Sequence, residues 1–109
     1  MSEAALQSAI VDLAHLYGWK VALFRPAKTW QGWQTPVGAD GKGWPDLTLV
    51  RDRILFVECK SDSGRLTKEQ LAWIEALRAG GAEAYVWNPV SWRCGDIQAV
   101  LQRVKVDRR

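Results

Sequence analysis

Asp46, Glu58 and Lys60 fall in the stretch Gly43 to Gln70, GWPDLTLVRDRILFVECKSDSGRLTKEQ, which otherwise reads as a buried hairpin. Two β-rich runs, LTLV and ILFVECK, are separated by Arg51, Asp52 and Arg53. A three-residue loop centred on Asp52 pairs Val50 with Ile54 and Thr48 with Phe56. The same register sets Asp46 opposite Glu58, and because side chains alternate, Lys60 follows on that face. Leu47, Leu49, Leu55, Val57 and Cys59 share the other face and belong to a core. Like charges directly opposite each other destabilise a ladder, so the carboxylates need compensation. A divalent cation such as Mg²⁺ supplies it, taking an oxygen from each carboxylate while keeping waters and phosphate oxygens. Beside it, a lysine can orient or activate water and offset developing negative charge, a set suited to metal-assisted phosphodiester hydrolysis. A plain surface ion pair between Glu58 and Lys60 is the competing reading of the pairing alone.

The surrounding elements must hold these groups. Leu6, Ile10, Leu13 and Leu16 or Tyr17 recur at helical spacing over residues 3–17, with Ser2 as the cap and Gly18 as the stop. VALFR at 21–25 reads as a strand closed by Pro26. The glycine-rich segment 26–44 is too long for a simple connection and is expected to hide a short strand, Trp33 to Val37. Lys28 and Lys42 in it could meet phosphates or simply be solvated. Thr67 and Gln70 form a capping box, with Leu66 and Leu71 as a staple, opening a helix to about Ala79 whose buried stripe is Leu71, Ile74 and Leu77. Gly80-Gly81 ends it, and Ala84 to Trp87 reads as a strand stopped by Asn88-Pro89. Ile97, Val100, Leu101 and Val104 suggest a last helix from about Asp96 that frays into residues 107–109.

Composition limits the alternatives. The 109 residues are expected to form one domain spanning 1–109. A net charge of +3 suits a polyanionic partner only weakly. Seven tryptophans are available as core, interface or base-stacking platforms. The start MSEAALQSAI lacks the basic and apolar regions of a signal peptide and no run approaches a membrane span, so a soluble cytoplasmic protein is expected. Cys59 and Cys94 are too few for a disulfide scaffold, and the single histidine, His15, removes zinc-site spacing.

Gly43-Trp44-Pro45-Asp46-Leu47, then Phe56-Val57-Glu58-Cys59-Lys60, then Gly64-Arg65-Leu66-Thr67-Lys68-Glu69-Gln70, followed by a helix closing in Gly80-Gly81-Ala82 and a strand, resembles the VRR-NUC branch of the PD-(D/E)XK nucleases. The resemblance implies a restriction-endonuclease-like α/β fold, a mixed central sheet flanked by helices in the order roughly α-β-β-β-α-β-α. It implies that Asp46, Glu58 and the Cys59 backbone carbonyl hold Mg²⁺ or Mn²⁺ and that Lys60 is the catalytic lysine. Gln70 matches the glutamine after the E-x-K strand, and Glu3 the acidic residue of the first helix that reaches towards the metal. Each also has a structural explanation, as the Thr67 capping partner and as a first-turn acid.

Members of this branch occur fused to repair proteins or as minimal stand-alone proteins of phages and bacteria, and this chain resembles the minimal kind. The resemblance then implies a structure-selective endonuclease similar to Holliday-junction resolvases, acting as a homodimer on branched DNA. Arg25, Lys28, Arg51, Arg53, Arg65 and Lys68 are the candidate DNA contacts. The rivals are a nicking, flap-type or helicase-associated nuclease, and a non-catalytic DNA-binding or assembly module. Retention of paired, mutually repelling carboxylates beside a lysine argues against the last.

Overall fold

Four strands carry the core, and their alternation decides where everything else packs. The computed structural model describes residues 1–24, 27–34 and 37–106. In chain order the elements are α1 (Glu3–Leu16), β1 (Lys20–Leu23), β2 (Ala27–Thr29), β3 (Gly32–Gln34), β4 (Leu47–Val50), β5 (Ile54–Cys59), α2 (Lys68–Ala79), β6 (Glu83–Trp87), α3 (Pro89–Arg93) and α4 (Asp96–Gln102). The main sheet runs β1-β4-β5-β6, antiparallel except for the parallel β5–β6 pair, and β2 and β3 form a separate hairpin. A mixed sheet flanked by helices is the expected restriction-endonuclease-like architecture. Among the described residues no helix is long and apolar enough to cross a membrane.

The β4–β5 register pairs Val50 with Ile54 and Thr48 with Phe56, as alternation about Asp52 requires. Leu47, Leu49, Leu55, Val57 and Cys59 are therefore buried together, joined by Leu6, Ile10 and Ala14 of α1 and Ile97 and Leu101 of α4. α2 lies against β6, burying Ile74 and Ala84 outside that cluster. Both expected caps form: Ser2 accepts from the Ala5 N–H, and Thr67 and Gln70 make a reciprocal capping box.

Several expectations are corrected. Leu71 is exposed, leaving Ile74 as the only buried residue of α2, because the helix body packs mainly against β6 at the edge of the sheet. Of the two alternatives expected at the end of the α1 stripe, Tyr17 packs on the core and Leu16 is exposed. Asn88-Pro89 does more than stop a strand: Asn88 caps α3 and Pro89 occupies its first turn, where a missing N–H costs nothing. α4 ends at Gln102, and Val104, counted on its stripe, is exposed. Segment 26–44 holds two strands where one was expected. β3 starts one residue before the expected Trp33 to Val37 strand, and Val37 lies outside it.

Arg51 and Arg53, expected at DNA, serve the fold. Arg51 donates to the carbonyls of Tyr17, Leu101 and Arg103, and Arg53 to those of Val100 and Arg103 while pairing with Glu83 at 2.8 Å. Both guanidinium groups lie over the Trp19 ring. They satisfy carbonyls at the end of α4 that the helix itself leaves open. The β4–β5 turn is thereby tied to the C-terminal helix.

Candidate active site

The Asp46–Glu58 pair sits where β4 begins and β5 ends. Pro45 is fully buried before Asp46, and the Asp46 carbonyl accepts from the Phe24 N–H, so the β1–β4 ladder extends into the site. The Asp46 carboxylate is fixed by the Cys59 N–H, 3.0 Å from Oδ2. Glu58 is 1% exposed. Its Oε1 accepts from Gln70 Nε2 at 2.9 Å and lies 3.9 Å from Lys60 Nζ, while Oε2 is buried without a hydrogen-bond partner.

The electrostatics follow from this crowding. Burial first, and the neighbouring Asp46 charge second, push the Glu58 carboxyl up to about 8, with Lys60 pulling the other way. Burial also raises Asp46, opposed chiefly by the Cys59 N–H bond and then by Gln7. The Cys59 thiol is pushed up by burial and the surrounding carboxylates, leaving a neutral core side chain.

Two helix N-termini close the site. α1 brings Glu3 and Gln7, one turn apart on one face, into a cavity of about 570 Å³ also lined by Phe24, Val37, Asp46, Glu58 and Gln70. Burial raises the Glu3 carboxyl, with Lys60 opposing and Asp46 adding. Among the described residues no three His, Cys, Asp or Glu side chains cluster closely enough to enclose a metal ion by themselves. Glu3 lines the same cavity as Asp46 and Glu58.

Gln7 was not singled out in the sequence. The available signal was a polar residue one turn after Glu3, on a helix whose Leu6 and Ile10 face the core.

Gln70 holds two positions at once. Its backbone N–H and side-chain oxygen make the capping box, and its side-chain nitrogen reaches Glu58. The structural and site explanations therefore coexist. The loop before β4 braces this helix end: Trp73 Nε1 donates to the carbonyls of Asp40 and Lys42, and Trp73 meets Trp44 edge-on. Gly43 has φ +88°, and a Cβ there would stand 2.6 Å from the Glu69 carbonyl carbon and 2.7 Å from the Gln70 nitrogen. Replacing Gly43 by alanine is expected to displace the start of α2, costing about 1–3 kcal/mol and lowering turnover with little change in DNA affinity. Thermal melting beside single-turnover cleavage reads both effects.

Among the other expected DNA contacts, Arg65 and Lys68 are exposed at the entrance to α2 and do not line the cavity. Lys42 does line it and pairs loosely with Glu69 at 3.7 Å. Lys28 stands in β2, and Arg25 lies outside the described residues.

A mixed sheet that ends in two facing carboxylates, with a lysine two residues on and helix N-termini above, defines a nuclease of the restriction-endonuclease-like class. The VRR-NUC domain model matches residues 3–91, most of the chain, and the chain belongs to the VRR-NUC family. It is accordingly a nuclease, a hydrolase acting on DNA. Neither the curated proteins nor the solved structures gave a match.

Proposed function

We propose that the chain is a divalent-metal-dependent endonuclease of branched DNA, similar in action to a Holliday-junction resolvase. The observation that carries the metal dependence is Glu58 Oε2, a buried carboxylate oxygen to which no protein group donates, on a side chain set beside the Asp46 carboxylate. Such an atom fits a cation that satisfies it and cancels the repulsion. Asp46, Glu58 and the Cys59 carbonyl would hold Mg²⁺ or Mn²⁺. The bound ion would polarise the scissile phosphate and acidify the attacking water. Gln70 fixes one Glu58 oxygen and leaves the other for the ion, while the Cys59 N–H aims Asp46. Lys60, 3.9 Å from Glu58 Oε1, supplies positive charge to the water and to the pentacovalent phosphate as negative charge builds.

The preference for branched DNA rests on the family resemblance. The homodimer has some support in the sheet: β1 is an edge strand, and Val50 and Ile54 are 41% and 54% exposed on the face away from the main core. The deciding experiment offers labelled four-way junction, linear duplex and single strand to the protein in Mg²⁺, Mn²⁺ or EDTA. Paired, metal-dependent cuts on the junction are expected. Cutting confined to linear or single strands would move the reading to a nicking or flap-type enzyme, and binding without any cutting would leave a DNA-binding module.

A further inference from the structure

Trp30 occupies the turn of the β2–β3 hairpin and is 92% exposed, the most exposed of the large hydrophobic side chains described. An indole that leaves nearly all of its 150–250 Å² open to solvent is available to a partner outside the chain. The hairpin grows from the cavity. Phe24, just before it, and Val37, just after it, both line the carboxylate pocket, and they are 42% and 49% exposed. Among the described residues β2 and β3 pair with each other and pack extensively on no other element, and the molecule measures 51 × 31 × 23 Å. An arm tipped by tryptophan is therefore rooted at the rim of the active site.

The chemistry of the tip selects its partner. One exposed aromatic offers far less than the ~800 Å² per partner of a stable protein interface. It is enough to stack on a single base, whose π-face is available only where the duplex is interrupted. Lys28, two residues before it, and the net charge of +3 accord with a nucleic-acid partner. The geometry points to Trp30 as a stacking wedge that engages unpaired bases at a DNA branch point, carried on an arm rooted beside the pocket lined by Asp46 and Glu58. This rests on the proposed nuclease reading and gives the branched-substrate preference a structural element.

The test compares wild type, Trp30→Ala and Trp30→Phe for affinity, in EDTA, towards a forked duplex and a linear duplex of equal length. Trp30→Ala is expected to lose about tenfold on the fork, and less on the linear duplex, while Trp30→Phe recovers most of the loss. Equal affinity of wild type and Trp30→Ala for the fork, or failure of wild type to prefer the fork at all, overturns the wedge. So does a fall in sedimenting mass of Trp30→Ala, which would make the arm a contact between copies of the chain. Cleavage of both substrates in Mn²⁺ is scored separately. A wild type that shows Trp30-dependent fork binding but cuts neither DNA refutes the nuclease reading and leaves the wedge standing.

Discussion

Glu58→Gln is expected to abolish metal-dependent cleavage and yet make the metal-free protein harder to melt at pH 8. Cleavage is lost because a neutral amide is a poor ligand for a hard cation. Stability rises because the native carboxylate is buried beside Asp46 with Oε2 unpartnered. Glutamine keeps the shape. Its oxygen can still accept from Gln70, and its NH₂ can donate where two carboxylates now repel. The sign follows from proton linkage. The folded-state pKa of Glu58, about 8, lies above the ordinary glutamate value of 4.5, so between these values the folded chain holds a proton that the unfolded chain has released. Wild-type stability therefore falls as pH rises through that window, the reverse of the usual carboxylate. Asp52 and Glu83, whose pKa values are lowered by their arginine partners, weaken the fold only at more acid pH.

The variant should gain about 2 kcal/mol at pH 8, or roughly 10 °C in melting temperature for a chain of this size. The two proteins should converge near pH 5. Added Mn²⁺ should raise the melting temperature of wild type and leave the variant unmoved, since only the wild-type site gains a ligand on folding. Melting curves from pH 5 to 8, with and without Mn²⁺, decide the matter. Parallel pH dependences for the two proteins would show that Glu58 carries no stored repulsion.

Lys60→Ala is expected to lower cleavage by about 10²–10³ while the fold and DNA binding persist. Lys60 Nζ is the cation within 4 Å of Glu58, and its ammonium lowers the pKa of both carboxylates and of Glu3. In the proposed mechanism that charge meets the negative charge that develops on phosphate and on the water that attacks it. Its loss should act on turnover rather than on substrate affinity, because the interaction strengthens only as the transition state forms. Lys60→Arg should recover little, since a planar guanidinium places its donors differently from a compact ammonium. Single-turnover rates at saturating Mn²⁺, set beside affinity in EDTA, separate these effects. Equal loss of affinity and rate would assign Lys60 to DNA binding, and unchanged rates would remove it from the mechanism.

The two variants divide one site into parts with different origins. Glu58 is a buried carboxylate beside a second one, carried by β5 into a sheet otherwise bound by Leu55, Val57 and Cys59 on its core face. Gln70 combines two roles, since the residue that caps α2 also holds Glu58 Oε1.

The amino-acid sequence alone determined the β4–β5 hairpin and the face on which Asp46, Glu58 and Lys60 gather. Strand alternation and a short loop leave one register that buries the leucines, and that register fixes the site face. The sequence also determined the ends of α1 and α2, because Ser2, Thr67 and Gln70 act through hydrogen bonds only three residues long. Other features depended on contacts distant in the chain. Arg51 and Arg53 look like any exposed basic turn until α4 folds back and offers its carbonyls some fifty residues away. Leu71 fits the helical stripe, yet only the limited contact of α2 with β6 decides that Ile74 is buried and Leu71 is not. Gln7 joins Asp46 because the α1 N-terminus is laid across the end of the sheet. Periodicity says which residues share a face, and only the packing of one element on another says what that face meets.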